Sequence, residues 1–490
     1  MQTRAPDLDE LDGIDESEID ATDLRSTSLY RTQVLFATAE YAPHVKVGGL
    51  SEASSGLVGC LRSMGTDVEV VMPDYDLIDL IDVVERPLTG LPDWAPPVTL
   101  RRGWTKNAGP LTLLRYDGSK RPNPYVDPNT GHGWYDNDAR FMVFSVAIAA
   151  MATQGFYDVV HCNDWHTAPA IGFLPPEIPT VLTVHNLSYQ GHADISWAEK
   201  IGDRGAAYVE GGGFNALAGG ISLASKIVMV SESYASEVVS ERHGFGLHQR
   251  LVDRGFALQG IRNGIDLGLW HPSEDPLLPF TFDHDDLSGK DICRKELLKV
   301  AGLESDRGPV IGLVARFVHQ KGIDIALELA PYLSSMPARL ILIGSGSPDL
   351  TRHAQDVASE HPDEVSVFAG YDERLAHLVV AGSDLLLVPS RFEPCGLTQM
   401  QAMTCGTIPV VTNVGGLRDT VTDTDEFPRL GTGFVAEQPS SVALLDAVHR
   451  ATRGWANPRR RAAVQRRGMT ADWSWAAPAQ QYLDLYEDAA

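Results

Sequence analysis

The sequence predicts an α/β protein built from two doubly wound parallel-sheet domains that face each other across a cleft. Three observations carry that expectation. Short, fully apolar strand segments alternate with helix-compatible stretches, the pattern of a parallel sheet covered on both faces. The pattern runs from Val34 to Val230 and starts again after Trp270-His271-Pro272. The chain has 490 residues, enough for two such lobes at about 100–200 residues per domain.

Residues 1–30 come first and stand apart. They carry nine carboxylates up to Asp23 and few large apolar side chains, so a disordered acidic tail is expected. Val34–Ala39 is then the first strand, followed by a glycine-containing loop and a helix near Ser51–Met64. Asp67–Met72, Asp158–His161, Thr180–Val184 and Lys226–Val230 are the further strands of the first half. The apolar run Phe141–Met151 is too short to span a bilayer and reads as a core helix. In the second half, strands are expected at Val310–Val314, Arg339–Gly344, Val365–Gly370, Asp384–Pro389 and Thr407–Thr412. The resulting organisation is a tail (1–30), a Rossmann-like N-terminal domain (31–265), a Rossmann-like C-terminal domain (266–470), and a last helical segment (471–490) that packs back on the first lobe. A ligand should sit at the carboxyl ends of the strands, between the lobes.

Charge narrows the partners. Forty basic against 65 acidic residues give a net charge of −25. A chain this acidic is a poor candidate for sequence-independent binding to nucleic acid, which needs a basic face, and for docking on an anionic membrane. The five cysteines are scattered without a CxxC pair, which argues against a disulfide scaffold or structural zinc and fits a reducing cytoplasm. No basic region followed by an apolar stretch opens the chain, so no signal peptide is expected.

Five strings sit where a cleft would be. Lys46-Val-Gly-Gly-Leu50 follows the first strand and opens a helix; two glycines, free N–H groups and a lysine would suit a phosphate, and a plain β–α turn fits the string about as well. Asn163-Asp164-Trp165-His166 and Thr183-Val-His185-Asn-Leu-Ser-Tyr-Gln-Gly191 put acids and imidazoles at neighbouring strand ends. Arg316 and Lys321 share the loop after the first strand of the second lobe, where a fork and a point charge could both reach a diphosphate. Glu393, Cys395, Gly396, Leu397 and Thr398 lie in Ser390–Gln399, where a carboxylate can hold sugar hydroxyls beside a helix N-terminus. Asp283-His-Asp285 and Asp423-Thr-Asp425 match a short metal-binding pattern but read as solvated surface.

Together KVGGL, NDWHT, TVHNLSYQG, RNGID, ARFVHQKG, GYDERLAH and SRFEPCGLTQ resemble, in order and placement, the bacterial glycogen synthases and plant starch synthases over roughly residues 33–487. The resemblance implies the GT-B architecture and retaining, metal-independent transfer of glucose from ADP-glucose to the non-reducing end of an α-1,4-glucan. It implies no cofactor apart from the nucleotide-sugar substrate, a carbohydrate acceptor as partner, and leaves a homo-oligomer open. Carried over residue by residue, Lys46, Gly48 and Gly49 look like the diphosphate loop, and His185 like the residue beside the transferred glucose. Asp164 resembles the acid on the acceptor side, and Asn263 the sugar contact. Arg316 and Lys321 resemble the cations on the leaving diphosphate, Tyr371 the residue packed on adenine, and Glu393 through Thr398 the sugar- and phosphate-binding turn.

The resemblance breaks at Glu52, where the family usually has Asp, and at Ala218, Thr412 and Cys405, where it usually has Lys, Arg and Tyr. These positions are expected near cleft-lining loops. The alternative reading is therefore a specialised-metabolism transferase of the same family, joining an NDP-cyclitol or NDP-sugar to an amino-sugar or sugar-phosphate acceptor as in acarbose-like pathways. An inactive binding subunit of the same architecture is a further class, against which the retained Lys46, His185, Arg316, Lys321 and Glu393 argue.

Overall fold

The computed structural model describes residues 31–303 and 308–489. The acidic tail expected at 1–30 lies outside the described residues.

The first lobe is built on one sheet. In chain order its strands are β1 (Gln33–Ala37), β2 (Asp67–Pro73), β3 (Ile81–Pro87), β4 (Thr99–Thr105), β5 (Gly109–Arg115), β6 (Val159–Asn163) and β7 (Thr180–Val184). A small separate sheet of β8 (His192–Ala193), β9 (Val209–Glu210) and β10 (Gly213–Asn215) follows, and β11 (Lys226–Met229) and β12 (Leu258–Gly260) complete the large sheet. Its spatial order is β12-β11-β7-β6-β1-β2-β5-β4-β3. The run from β12 to β5 is parallel, and β4 and β3 add antiparallel to one edge. The sequence reading missed β3, β4 and β5. It sought apolar runs, whereas Thr99–Thr105 interleaves buried and exposed residues and every residue of Ile81–Pro87 is exposed. An edge strand with one solvated face carries no continuous apolar signature.

The second lobe has six strands, all parallel: β13 (Val310–Val314), β14 (Arg339–Gly344), β15 (Val365–Ala369), β16 (Leu385–Val388), β17 (Ile408–Thr412) and β18 (Phe434–Ala436), ordered β15-β14-β13-β16-β17-β18. Only the three-residue β18 was not expected. Nearly all residues of β13, β14, β16 and β17 are buried, as strands covered on both faces must be.

Helix Gly49–Ser63 shows why the loops are so placed. Its buried positions Leu50, Ala53, Ser54, Leu57, Val58 and Leu61 repeat at three and four residues, so one stripe faces the sheet and the chain must enter at Gly48, beside the end of β1. The run Phe141–Met151 is indeed buried within helix Asn137–Gln154. The last helix, Ala476–Ala489, returns to the first lobe: the Tyr486 hydroxyl meets His161 Nδ1 at 2.7 Å, and the Tyr482 hydroxyl meets Thr183 Oγ1 at 3.1 Å. No described helix is long and apolar enough to cross a membrane.

Candidate active site

On the first lobe, the loop between β1 and its helix is organised by a carboxylate that the sequence reading missed. Glu40 is buried; its Oε2 accepts the N–H groups of Val47 at 2.8 Å and Gly48 at 2.9 Å, and its Oε1 accepts the Tyr125 hydroxyl at 2.7 Å. Burial raises the Glu40 pKa; the three hydrogen bonds and the charge of Arg316 on the facing lobe pull it back. The Gly48 N–H is therefore turned to Glu40. What Gly48 offers a ligand here is open space, since nothing lies within 4 Å of where its Cβ would be. Lys46 pairs with Glu52 at 2.8 Å and, across the cleft, with Glu373 at 3.4 Å. Burial works against its charge, but Glu52 outweighs burial and holds the amine above its ordinary range.

Asp164 and His185 end adjacent strands and meet. Asp164 is buried with a left-handed φ of 57°, and its Oδ1 accepts the His185 N–H at 2.6 Å and the Asn186 N–H at 3.4 Å. Burial pushes its carboxyl up to about 7, partly offset by those bonds. The His185 Nε2 faces Asn163 Oδ1 at 2.9 Å, and the Asn163 amide donates to Ala37 O at 3.0 Å. That second bond fixes the amide, so Nε2 is the protonated nitrogen and Nδ1 keeps its lone pair. Burial drives the His185 pKa down to about 3, so the ring is neutral at pH 7. His166 is instead a packing residue, stacked on Tyr125 at 4.9 Å.

On the second lobe, Arg316 lies just beyond β13, exposed and without a salt bridge or side-chain hydrogen bond among the described residues. Lys321 in the same loop meets Glu393 Oε2 at 2.5 Å. The Ser390 hydroxyl donates to that same oxygen at 2.8 Å, leaving Glu393 Oε1 unengaged among the described residues. Gly322 permits the turn: its φ is 64°, and a Cβ there would stand 2.0 Å from Pro389 O. Cys395 is buried and reduced, with the Asn263 N–H turned to its sulfur, so Asn263 is held against the Ser390–Gln399 turn. Gly396 has a φ of 74°, and Leu397 leads into helix Thr398–Thr404.

The two loop sets converge. Gly49 and Leu397 oppose each other, with a Cβ on Gly49 3.7 Å from Leu397 Cδ1. Gln401 donates to Glu52 at 3.3 Å and Asn186 to Gln320 at 3.4 Å, both from lobe to lobe. Tyr371, 65% exposed, lies beside Lys46 at the rim. Thus Lys46, Gly49, Tyr371 and Leu397 share one end of the cleft.

A family profile described as the starch synthase catalytic domain matches residues 33–253, and one described as glycosyl transferases group 1 matches 295–467. A glycogen synthase of Thioalkalivibrio sulfidiphilus is 38% identical over 483 residues, covering 93% of this chain and 99% of its own. Glycogen synthase 1 of Methylococcus capsulatus is 37% identical over 488 residues, covering 93% and 96%. The chain belongs to the glycogen and starch synthase family. It is a nucleotide-sugar-dependent glycosyltransferase of GT-B architecture. Among solved structures, the catalytic domain of starch synthase IV from Arabidopsis thaliana, bound to ADP and acarbose, superposes with a TM-score of 0.84 at 30% identity over 94% of this chain and 99% of that one. A sucrose-phosphate synthase from Thermosynechococcus elongatus shares the fold alone, at 19% identity and a TM-score of 0.60 over 94% and 99% of the two chains.

Against that family background the departures can be placed. Only Glu52 touches the cleft, through Lys46. Ala218 is fully buried in helix Ala216–Leu223, and Thr412 is buried with its hydroxyl on Ser390 O at 2.6 Å. Cys405 is buried at the far end of helix Thr398–Thr404, away from the cleft. The expectation that these positions lie near cleft-lining loops holds for Ala218, tied through Asn215 to Gln190, and for Thr412, tied to Ser390, and is corrected for Cys405. Asp283 and Asp285 are exposed as expected, but Asp423 is not simply solvated: it accepts the Val435 N–H at 2.7 Å and pairs with Arg450 at 3.0 Å.

Proposed function

We propose that this protein elongates an α-1,4-glucan, transferring glucose from ADP-glucose to the non-reducing end with retention of configuration. The observation that carries this reading is Arg316: an exposed guanidinium without a side-chain hydrogen bond or salt bridge among the described residues, at a strand end, one loop with Lys321 and facing the Glu40 carboxylate of the other lobe. In this reading residues 31–265 form the acceptor side and 266–470 the donor side. The relatives named glycogen synthase and the neighbour bound to ADP and acarbose support it.

The mechanism follows from the charges. As the bond from the anomeric carbon to the β-phosphate oxygen breaks, its electron pair stays on the phosphate. Arg316 and Lys321 oppose that growing negative charge; a donor placed in advance at such a site is commonly worth about 10²–10³ in rate. Glu393 fixes Lys321 through Oε2, and Oε1 accepts a sugar hydroxyl. The acceptor hydroxyl attacks from the face the diphosphate leaves, and its proton passes to the leaving phosphate. Asp164 uses only Oδ1 on backbone N–H groups, so Oδ2 orients the acceptor. The neutral ring of His185 lets that residue sit beside an oxocarbenium-like sugar without adding charge. Lobe closure excludes the water that would otherwise consume the donor. We infer a cytoplasmic setting, which five free cysteines support.

The test is release of nucleoside diphosphate from ADP-, UDP-, GDP- and dTDP-sugars with and without glycogen or malto-oligosaccharides. Glucan-dependent ADP release from ADP-glucose is expected. Tight nucleotide binding without glucan-dependent release overturns the glucan reading.

A further inference from the structure

The cleft takes up the carboxyl ends of the strands. A second concavity lies at the opposite pole of the second lobe, where the strands begin: Gly308 just before β13 and Asp384 just before β16 line it. It is a groove of about 390 Å³ between helices Ser288–Ala301 and Pro458–Thr470. Each helix gives it one stripe, Leu287-Lys290-Asp291-Arg294 on one wall and Pro458-Arg461-Ala462-Gln465 on the other, both at helical spacing.

Most polar groups here are consumed by the fold. Asp384 Oδ2 accepts Arg294 Nε at 2.9 Å and the Val310 N–H at 2.8 Å. Lys290 spends all three protons, on Ala381 O at 2.7 Å, Cys405 O at 3.0 Å and Thr407 Oγ1 at 2.6 Å. None of its acceptors is a carboxylate, and the charges of Asp384 and Asp291 support its own only from a distance. Burial accordingly draws its pKa down to about 8.

Two donors are not consumed among the described residues. The Arg461 guanidinium lies over the Trp455 ring, 4.9 Å from its centroid, with no salt bridge or side-chain hydrogen bond among the described residues. The Trp455 Nε1 is buried and donates to nothing among the described residues. A buried N–H without an acceptor is a standing cost, and an anion would remove it. Arg461 and Lys290 make this groove locally positive in a chain of net charge −25. Asp291, whose carboxylate has no ion pair among the described residues, leaves one acceptor on the opposite wall.

We propose that this groove binds a small phosphorylated metabolite, its phosphate seated between the Arg461 guanidinium and the Trp455 indole N–H and a hydroxyl of the ligand on Asp291. The forked donors of arginine suit phosphate oxygens, and the indole adds a directional donor. The site is remote from the cleft, so it can be filled while donor and acceptor are bound.

The test titrates inorganic phosphate and, separately, glycerol 3-phosphate into the full-length protein held in saturating ADP, so that the cleft is already occupied. Isothermal calorimetry and tryptophan fluorescence are read together. Saturable binding is expected, weakened about tenfold in Arg461→Ala. Trp455→Phe keeps an aromatic face for Arg461, removes the N–H, and is expected to weaken binding and abolish the fluorescence change. Both variants should keep wild-type turnover, which shows that they fold. Tighter glycerol 3-phosphate marks an organic monoester as the ligand, and equal affinities mark free phosphate. No saturation into the millimolar range, or unchanged affinity in Arg461→Ala, overturns the proposal.

Discussion

Lys321 Nζ lies 2.5 Å from Glu393 Oε2, whereas Arg316, five residues earlier in the same loop, has no side-chain partner among the described residues. The two cations assigned to one leaving group thus stand in different structural debt. Arg316→Ala removes no internal contact and is expected to leave the melting temperature unchanged while lowering turnover about 10²–10³-fold. Lys321→Ala should lower turnover comparably and also lower the melting temperature, because it strands the buried Glu393 carboxylate. Steady-state kinetics and thermal denaturation of the two variants decide it. Turnover within twofold of wild type in either one removes that residue from the diphosphate site.

Glu40 orders the first-lobe loop through Val47, Gly48 and Tyr125. Glu40→Gln replaces one accepting oxygen by a donor, so the Tyr125 bond must reverse or break and the charge-assisted ties to Val47 and Gly48 weaken. The KM for the donor is expected to rise by more than kcat falls, since the loop binds rather than reacts. A pure kcat effect would place Glu40 among the reacting groups.

Metal removal separates side-chain catalysis from ion catalysis. In the proposed mechanism Arg316 and Lys321 supply the positive charge, so exhaustive EDTA treatment is expected to leave turnover unchanged. A strict Mg²⁺ requirement, restored by added metal, would mean that an ion bridges the diphosphate.

Gly322 couples stability to the site. At a φ of 64°, with Pro389 O 2.0 Å from where a Cβ would be, Gly322→Ala must shift the backbone between Lys321 and the helix beyond it. A cost of about 1–3 kcal/mol is expected, read as a lower melting temperature, together with loss of turnover because Lys321 moves. An unchanged melting temperature would show that the loop relaxes freely.

Much of this was legible in the sequence. The buried strands announce themselves as apolar runs, so β1, β6, β7, β13, β14, β16 and β17 fall where Val, Ile and Leu cluster, and Asp164, His185, Arg316 and Glu393 stand at their carboxyl ends. Glu40 obeys the same rule, as a carboxylate just past Val34–Ala39, but a single acid carries no signal of its own, since its role rests on the backbone N–H groups of Val47 and Gly48 folding back onto it. Tyr125 could not be read, since its role depends on a contact with Glu40 across 85 residues. The edge strands β3 and β4 were hidden by their polar faces. Cys405 was misplaced because spacing along a helix does not say which end meets the cleft.

Asp164 gives the last prediction, a dependence on pH. Its native pKa of about 7 lies above the ordinary value of about 3.9. An acid raised in this way favours the native state fully below pH ~4, and that contribution is lost as pH rises through 7. His161, His166 and His185 are drawn by burial down to about 3 and act oppositely: their contribution is present above pH ~6.5 and is lost as pH falls. The wild-type profile mixes both, so the difference between variants is the clean observable. Asp164→Asn keeps an oxygen for the His185 and Asn186 N–H groups but cannot ionise. Relative to wild type, it should gain stability between pH 4 and 8 by an amount on the order of a few kcal/mol. Melting temperatures of both proteins across that range test it. A difference that stays flat with pH would mean that Asp164 titrates at its ordinary value and that its burial is relieved by water in solution.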